Sequence, residues 1–256
     1  LVGDDPASKN YVSLKQKAAI RAGIQAGDYK MSADVSQQEL IDTILRLGED
    51  NLVHGILVQL PLPRNLDKQE LLEAIPPSKD VDGLHPENVG LLMQGRPRFI
   101  PATPAGIQQM LLRMGINPDG KHLVVCGRSE IVGKPLATLF MQKNTGSNAT
   151  VTVCHSRTPD LKLMTIQADI LIAAMGKAEF IKADMVKDGV VVIDVGTNIV
   201  SSPDRKRGWR MVGDVDFDAV SRKASFISPV PGGVGPMTIA MLLSNTLKAA
   251  KLAADS

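Results

Sequence analysis

Four short runs of apolar or β-branched residues constrain the fold of this chain more than any other feature. Helical segments separate most of the runs, which are His122–Cys126, Ala149–Cys154, Ile170–Ala174 and Val190–Asp194. Strands that are apolar along their length are buried on both faces of a sheet, and strand–helix alternation builds right-handed βαβ units. The sequence therefore predicts a mostly parallel sheet flanked by helices, which is an α/β fold.

The first hundred residues also alternate between predicted helix and strand. We expect Ser8 to cap a helix that runs to about Ala22, and Ser36–Glu39 to form the capping box of a second helix. His54–Leu60 is typical of a buried parallel strand, and Asp67 opens a third helix.

The pattern changes near residue 103, which we take as a domain boundary. Thr103 and Pro104 are a strong helix start, with a capping side chain and then proline at the first helical position. Short strands and glycine-rich turns follow. Phe226–Val230 is the last strand candidate, and a long closing helix is predicted to start at Pro236.

Composition argues against several classes of protein. A hydrophobic fraction of 44% over 256 residues supports a sizeable core and argues against disorder. The net charge of +2 is spread without a basic stripe, so we predict no nucleic-acid partner. No apolar run approaches the roughly 20 residues that span a bilayer, so we predict no membrane partner.

The chain start and the two cysteines are less informative. The first residue is Leu1 rather than Met, and we infer that an N-terminal segment, with any targeting peptide, lies outside this chain. Cys126 and Cys154 each end a strand-like run, and we expect both to be small buried hydrophobic residues rather than a disulfide. A reducing compartment fits this cysteine usage.

A dinucleotide site is predicted where the strand ending at Cys126 gives way to a helix. Gly127 and Gly133 would let the backbone turn tightly against a pyrophosphate at a helix N-terminus. Their spacing is not the usual G-x-G-x-x-G, and a plain strand-to-helix turn is the alternative.

The next strand favours NADP over NAD. It ends at Cys154 without the carboxylate that would bind a ribose 2′-hydroxyl. Arg128, Ser156 and Arg157 would suit a 2′-phosphate instead, with solvated surface arginines as the alternative. Gly196, after a later strand, marks either another backbone approach to the cofactor or an ordinary turn.

The candidate chemistry lies mainly in the first hundred residues. Tyr11 and Lys15 are four residues apart and share one face of a helix, where an aromatic neighbour could lower the pKa of the lysine for proton transfer. Gln59 ends a predicted strand and could hydrogen-bond that lysine. The alternatives are a solvated lysine and a structural glutamine.

Two loops complete the candidates. Asp82 precedes Gly83 and is either a ligand-binding carboxylate or an Asx turn. The loop of residues 229–236, rich in proline and glycine, allows close backbone approach to a flat ligand or is merely a connector. The histidines lack metal-ligand spacing and no G-x-S-x-G turn occurs, so we predict no metal site and no hydrolase-type nucleophile.

Seven segments, taken in order, resemble the signatures of the methylenetetrahydrofolate dehydrogenase/cyclohydrolase family. They are Tyr11–Lys15, Val58–Pro63, Lys79–Gly83, Pro101–Pro104, Gly127–Ser129, Asp194–Gly196 and Pro229–Thr238. The resemblance runs from Leu1 to about Leu247, and the motifs are specific jointly rather than singly. Relatives often carry cysteine where this chain has Ala102, so a cysteine there is not essential here.

The resemblance implies two activities at one site: NADP-dependent oxidation of 5,10-methylenetetrahydrofolate to the methenyl form, and hydrolysis of that product to 10-formyltetrahydrofolate. It implies that Lys15 transfers protons, that Tyr11 packs against the folate and orients Lys15, that Gln59 hydrogen-bonds Lys15, and that Asp82 binds the pterin ring. The metabolic setting would be one-carbon metabolism and purine biosynthesis.

The resemblance also implies an architecture. A folate-binding catalytic domain would comprise residues 1–103 with 237–256, and a Rossmann-like NADP-binding domain would comprise residues 104–236. A cleft between them and a homodimer are implied, and we expect a cytoplasmic location, with mitochondria as the alternative.

The residues expected to contact the two ligands fall into two sets. The substrate set is Ser8, Tyr11, Gln59, Leu60, Asp82, Pro231, Gly232 and Gly235. The cofactor set is Thr103, Gly127, Arg128, Ser129, Val132, Gly133, His155, Ser156, Arg157, Gly176, Val195, Gly196 and Thr197.

Three other functions compete with this hypothesis. The chain could retain only the dehydrogenase, because all of the proposed catalytic residues could serve folate binding. It could be a non-catalytic dinucleotide sensor, although a sensor has no use for Lys15, Gln59 and Asp82 together. It could be another NADP oxidoreductase with the same cofactor domain, against which the first hundred residues argue.

Overall fold

A computed structural model describes residues 1–205 and 207–255, which divide into two compact units. Unit 1 comprises residues 1–102 and 239–256, and unit 2 comprises residues 103–238. No helix within the described residues is long and apolar enough to cross a membrane.

Unit 1 is built on four helices and the greater part of a fifth. They are α1 (Pro6–Arg21), α2 (Gln37–Glu49), α3 (Lys68–Glu73), α4 (Pro86–Met93) and the later turns of α9 (Val234–Ala254). The predicted caps of α2 and α3 are confirmed, since Ser36 accepts from Glu39 N and Asp67 accepts from Gln69 N and Glu70 N.

The predicted cap of the first helix is wrong by three residues. Asp5 is the N-cap of α1, and its carboxylate accepts a 2.7 Å hydrogen bond from the backbone N–H of Ser8. Pro6 follows at the start of the helix, where a missing N–H costs nothing. Ser8 therefore lies in the first turn, with its side chain buried.

The predicted strand His54–Leu60 is also wrong as a regular strand. Only Ile56 forms a bridge there, parallel to Asp80, through its N–H to the carbonyl of Lys79 at 2.8 Å. Proline follows at 61 and 63 and cannot donate to a ladder, whereas the apolar side chains are buried simply by packing against α2 and α3. Apolarity alone does not separate a strand from a buried extended segment.

Unit 2 contains a five-stranded parallel sheet, which confirms the predicted fold class. The strands are β1 (His122–Cys126), β2 (Thr150–Cys154), β3 (Ile170–Ala173), β4 (Val191–Asp194) and β7 (Phe226–Ile227), in the order β2-β1-β3-β4-β7. The first four match the predicted runs to within a residue, and β7 is shorter than the predicted Phe226–Val230.

Helices and a hairpin complete unit 2. They are α5 (Ala102–Arg113), α6 (Gly133–Phe140), α7 (Leu161–Thr165), α8 (Phe217–Val220), a 3₁₀ turn at Ala183–Met185, and an antiparallel pair of β5 (Asn198–Ser201) with β6 (Trp209–Val212). Helix α5 begins one residue before Thr103, and α9 begins two residues before the predicted Pro236.

Alternate side chains of each central strand supply two apolar cores. Leu123 and Val125 of β1 belong to one cluster, and Val124 and Cys126 belong to the other. Burial on both faces accounts for the continuous apolar runs seen in the sequence. Cys126 and Cys154 are both free and buried, as predicted.

Candidate active site

The candidate proton-transfer group is centred on Lys15 of helix α1. Its Nζ donates a 3.0 Å hydrogen bond to Oε1 of Gln59, 44 residues away in sequence. The amide of Gln59 is itself fixed, because its Nε2 donates to the carbonyl of Leu60 at 2.6 Å. The lysine is thus held by an acceptor whose orientation is set by the backbone. Tyr11 lies one helical turn before Lys15 on the same helix.

Asp82 and Lys15 perturb each other's ionisation. Burial lowers the pKa of Lys15 from its usual value, and the nearby carboxylate of Asp82 raises it only in part. Burial raises the pKa of Asp82 to about 6, in spite of the opposing effect of Lys15. The pKa values of both groups therefore lie closer to neutral pH than those of free side chains, which suits acid–base chemistry.

A buried network holds the loop that carries Asp82. The carboxylate Oδ2 of Asp80 accepts from the N–H of His85 and from Nδ2 of Asn88, both at 2.8 Å. Oδ1 of Asn88 accepts in turn from Arg98 at 2.9 Å. The turn itself is closed by the N–H of Gly83, which donates to the backbone carbonyl of Asp80. Asp82 is therefore not needed to close the turn, which weakens the Asx-turn alternative.

The loop after β1 depends on its two glycines. A Cβ on Gly127 would lie 2.1 Å from the carbonyl oxygen of Ala174, and one on Gly133 would lie 2.2 Å from the carbonyl oxygen of Gly127. Ser129 Oγ accepts from the N–H groups of Val132 and Gly133 at 3.2 and 3.4 Å. The loop thus folds back tightly onto the start of α6.

The predicted 2′-phosphate residues lie at the ends of neighbouring strands. The parallel register pairs Cys126 with Cys154, so Arg128 follows β1 and Arg157 follows β2 at the same edge of the sheet. Arg128, Ser156 and Arg157 are all exposed. His155 shapes the second loop, because its Nδ1 accepts from the N–H of Arg157 at 3.1 Å.

Two buried carboxylates organise the ends of β3 and β4. Asp194 accepts from the backbone N–H groups of Gly196, Asp214 and Val215 at 2.9 to 3.0 Å. Burial still raises the pKa of Asp194 to about 6. Gly196, predicted to leave room for the cofactor, has a second reason to be glycine, since a Cβ would lie 2.3 Å from Oδ1 of Asp214. Its neighbours differ: Val195 is half-buried and Thr197 is exposed.

The remaining predicted residues lie around the start of α9. Pro231 and Gly232 are exposed in the loop before the helix, and Gly232 has φ 107°. Gly235 lies in the first turn of α9 rather than in the loop. Thr103 lies in α5, and its Oγ1 shares a 3.0 Å hydrogen bond with that of Thr238.

The structure therefore gathers the predicted residues into two groups. Within unit 1, Lys15 donates to Gln59, the charge of Asp82 acts on the pKa of Lys15, Leu60 accepts from Gln59, and Ser8 and Tyr11 lie on the same helix as Lys15. The predicted cofactor residues, together with Pro231, Gly232 and Gly235, all belong to unit 2. The roles of Asp80 and Asp214 could not be predicted from the sequence, because their partners are largely backbone amides and distant side chains.

Comparison with known proteins gives consistent family matches. Residues 1–82 match the tetrahydrofolate dehydrogenase/cyclohydrolase catalytic domain, and residues 101–254 match the NAD(P)-binding domain of the same family. A bifunctional protein FolD from Salinibacter ruber is 58% identical over 256 residues, covering 100% of this chain and 86% of the relative.

Two solved structures extend the match to three dimensions. The bifunctional FolD of Campylobacter jejuni is 50% identical, with a TM-score of 0.91 over 98% of this chain and 86% of that one. The Trypanosoma brucei methylenetetrahydrofolate dehydrogenase-cyclohydrolase, solved with NADP and an inhibitor, is 41% identical, with a TM-score of 0.94 over 100% of this chain and 86% of that one. The chain belongs to the tetrahydrofolate dehydrogenase/cyclohydrolase family.

Proposed function

We propose that this chain oxidises 5,10-methylenetetrahydrofolate with NADP and then hydrolyses the methenyl product to 10-formyltetrahydrofolate. The observation that carries the proposal is the contact of Lys15 with Gln59 beside Asp82, in the unit that matches the family's catalytic domain. Hydrolysis needs a positioned group that moves protons, which a lysine with a lowered pKa and a fixed position can supply, whereas hydride transfer itself needs none.

In the oxidation, the methylene carbon between N5 and N10 loses a hydride and becomes an amidinium-like carbon. NADP, when bound, accepts that hydride. The chain's own task is to hold the folate, and Asp82 is placed in this proposal at the polar edge of the pterin. Tyr11, one turn from Lys15 on α1, offers its ring to the folate.

In the hydrolysis, water adds to the amidinium-like carbon and a proton must leave the attacking water. The C–N5 bond then breaks, N5 gains a proton and the formyl group remains on N10. Lys15 is the group that moves these protons, because its lowered pKa allows it to act both as base and as acid. Gln59 directs the ammonium by accepting its hydrogen bond.

The cofactor is NADP. Arg128, Ser156 and Arg157 follow β1 and β2 at one edge of the sheet, and no carboxylate ends β2 to bind a ribose 2′-hydroxyl. Arginine forms paired, charge-assisted hydrogen bonds with phosphate. The NADP in the Trypanosoma brucei relative supports this choice.

The two units would divide the ligands between them. Residues 1–103 with 237–256 would bind folate, and residues 104–236 would bind NADP, with Ser8, Leu60, Pro231, Gly232 and Gly235 as further folate contacts. The catalytic-domain match over residues 1–82 and the NAD(P)-binding-domain match from residue 101 support the first boundary, and the packing of residues 239–256 with residues 1–102 supports the return of the last helix.

The purified chain should produce NADPH from 5,10-methylenetetrahydrofolate and NADP, with transient methenyl absorbance that decays faster than in buffer. NADPH production with methenyl decay no faster than in buffer would favour the monofunctional dehydrogenase. Binding of NADP without any turnover would favour the sensor.

We further propose a homodimer that works in the cytoplasm and supplies formyl groups for purine biosynthesis. These three statements rest on the family resemblance. Sedimentation equilibrium tests the dimer, cell fractionation tests the location, and purine rescue of a deletion strain tests the pathway.

A further inference from the structure

Asp214 is a fully buried carboxylate to which a distant loop is attached. It accepts hydrogen bonds from three consecutive backbone amides, Met175 at 2.5 Å, Gly176 at 2.9 Å and Lys177 at 2.8 Å. Nδ2 of Asn198 donates a fourth, at 2.9 Å. A single side chain thus fixes the conformation of the segment that follows β3.

Asp214 is itself held in place. Asp194 accepts from the N–H of Asp214 at 2.9 Å, and Ser228 Oγ accepts from the N–H of Asp194 at 2.8 Å. The backbone also approaches the Asp194 carboxylate closely, since a Cβ on Gly213 would lie 1.8 Å from its Oδ2. The position of the loop after β3 therefore depends on Asp194, at the end of β4, through Asp214.

This loop lies at the topological switch point of the sheet. In the order β2-β1-β3-β4-β7, the chain runs outward from β1 to β2 and then returns to β3 on the other side of β1. Ligands of open parallel sheets bind in the crevice outside the carboxyl ends of the strands at such a point. The loops after β1 and β3 border that crevice, and Gly127 approaches the carbonyl of Ala174 closely.

The hydrogen bonds to Asp214 decide which backbone groups of the loop face outward. A trans peptide directs its N–H and its C=O to opposite sides. Because the N–H groups of Met175, Gly176 and Lys177 point at Asp214, the carbonyls of the same three peptide units point away from it. The carbonyl of Ala174 lies against Gly127, so the carbonyls of Met175 and Gly176 are the acceptors left for a ligand that carries donors.

We propose that Asp214 is a positioning residue for the dinucleotide, which aims the carbonyls of the loop after β3 at the donor groups of the nicotinamide nucleoside. Those donors are the ribose hydroxyls and the carboxamide NH₂. This inference rests on the proposed NADP-dependent oxidation. Asp214 touches no ligand itself and acts only through the loop.

Asp214→Asn is the main test, because asparagine keeps the shape but replaces one accepting oxygen with an NH₂. Each carboxylate oxygen accepts from two donors, so two of the four donors then lose their acceptor. The KM for NADP should rise about tenfold to a hundredfold, which corresponds to one charged hydrogen bond. The maximal dehydrogenase rate at saturating NADP should change less, and methenyl hydrolysis measured without NADP should stay at the parent rate.

Two control variants separate positioning from general damage. Asp218→Asn makes the same change at an exposed site four residues away and should leave the KM for NADP unchanged. Asn198→Ala removes one donor from Asp214 but leaves the three loop amides bonded, so the KM should rise by no more than about twofold.

The outcomes distinguish the inference from the proposed function. An unchanged KM for NADP in Asp214→Asn, or an equal loss of both activities in a folded variant, overturns the inference. Absence of NADPH production by the unmodified protein overturns the proposed function instead.

If Asp214→Asn does not fold, hydrogen exchange of the unmodified protein tests whether Asp214 holds the loop. The amides of residues 175–177 should be protected before NADP is added. Exchange at the rate of an open loop would overturn the inference.

Discussion

Replacing Lys15 with methionine separates the two proposed activities. Methionine keeps the bulk of the lysine stem and has a similar helix propensity, so α1 should persist. The substitution removes the ammonium that donates to Gln59 at 3.0 Å and that opposes the raised pKa of Asp82. Proton transfer is lost outright, whereas hydride transfer requires no proton carrier.

The expected magnitude follows from those two contacts. A positioned acid–base group contributes about 10²–10⁴-fold to a proton-transfer step, so methenyl hydrolysis should fall by that factor. Without the lysine charge, the pKa of Asp82 should rise above its present value of about 6. More of that carboxyl is then protonated at pH 7, so folate binding and the dehydrogenase rate should weaken to a lesser degree, and less so at pH 8.

The assay follows methenyl absorbance and NADPH separately in the same reaction. Lys15→Met should accumulate methenyltetrahydrofolate while NADPH still forms, and Gln59→Ala should act in the same direction. Lys17→Met is the matched control, because Lys17 is an exposed lysine of the same helix. If Lys15→Met hydrolyses the methenyl compound as fast as the parent, above the spontaneous rate in buffer, the lysine is not the proton carrier.

Four further predictions test the cofactor site, the substrate site, the ionisation of Asp82 and the packing of unit 2. Arg157→Ala or Arg128→Ala should raise the KM for NADP about tenfold to a hundredfold and spare NAD, and equal use of both cofactors by the parent would refute the 2′-phosphate assignment. Asp82→Ala should weaken folate binding in calorimetric titration without affecting NADP binding, and unchanged folate affinity would contradict its role. The pKa of Asp82 is raised from 3.8 to about 6, so ionisation of Asp82 lowers the free energy of unfolding as the pH rises through that window. Asp82→Asn should therefore melt at a higher temperature than the parent above pH 6, and at the same temperature below pH 3.8. Gly213→Ala should destabilise unit 2, since its Cβ would lie 1.8 Å from a carboxylate oxygen. Gly90→Ala, in open space within α4, should instead stabilise the fold by about 0.5–1 kcal/mol. Equal melting temperatures of the two variants would contradict the packing argument.

The parallel sheet could be predicted because its strands are buried on both faces. The apolar composition of runs such as Ile170–Ala173 is enough to predict a buried strand. The extended segment 54–60 is also apolar, but whether it pairs as a strand depends on whether another strand lies beside it. Its composition does not reveal that. The β5–β6 hairpin could not be predicted because apolar Ile199 lies on the exposed face of β5, so the residues do not alternate in polarity although they alternate in burial.

The candidate site was predictable only in part. The contact of Lys15 with Gln59 joins positions 44 residues apart, so the residues alone leave a structural glutamine as the alternative, and the resemblance to a family favours the contact. The role of Asp214 could not be predicted, because a carboxylate that binds backbone amides needs no particular side chains as partners. Serine favours the N-cap position, so the sequence predicts Ser8 there, whereas Asp5 before Pro6 fits the helix start better.

The division of unit 1 into two stretches of chain has a consequence for biosynthesis. Helix α9 supplies Leu242 and Ala249 to the cluster around Phe99, and Asn245 of the same helix donates to the carbonyls of Val81 and Ile100. On the ribosome, all of residues 103–238 must be made before that helix emerges, which takes on the order of 7–30 s at about 5–20 residues per second. Unit 2 is a single continuous stretch and can close during that interval. The earlier-made part of the polypeptide is thus the last to be completed, and it is the part that nascent-chain chaperones would be expected to shelter.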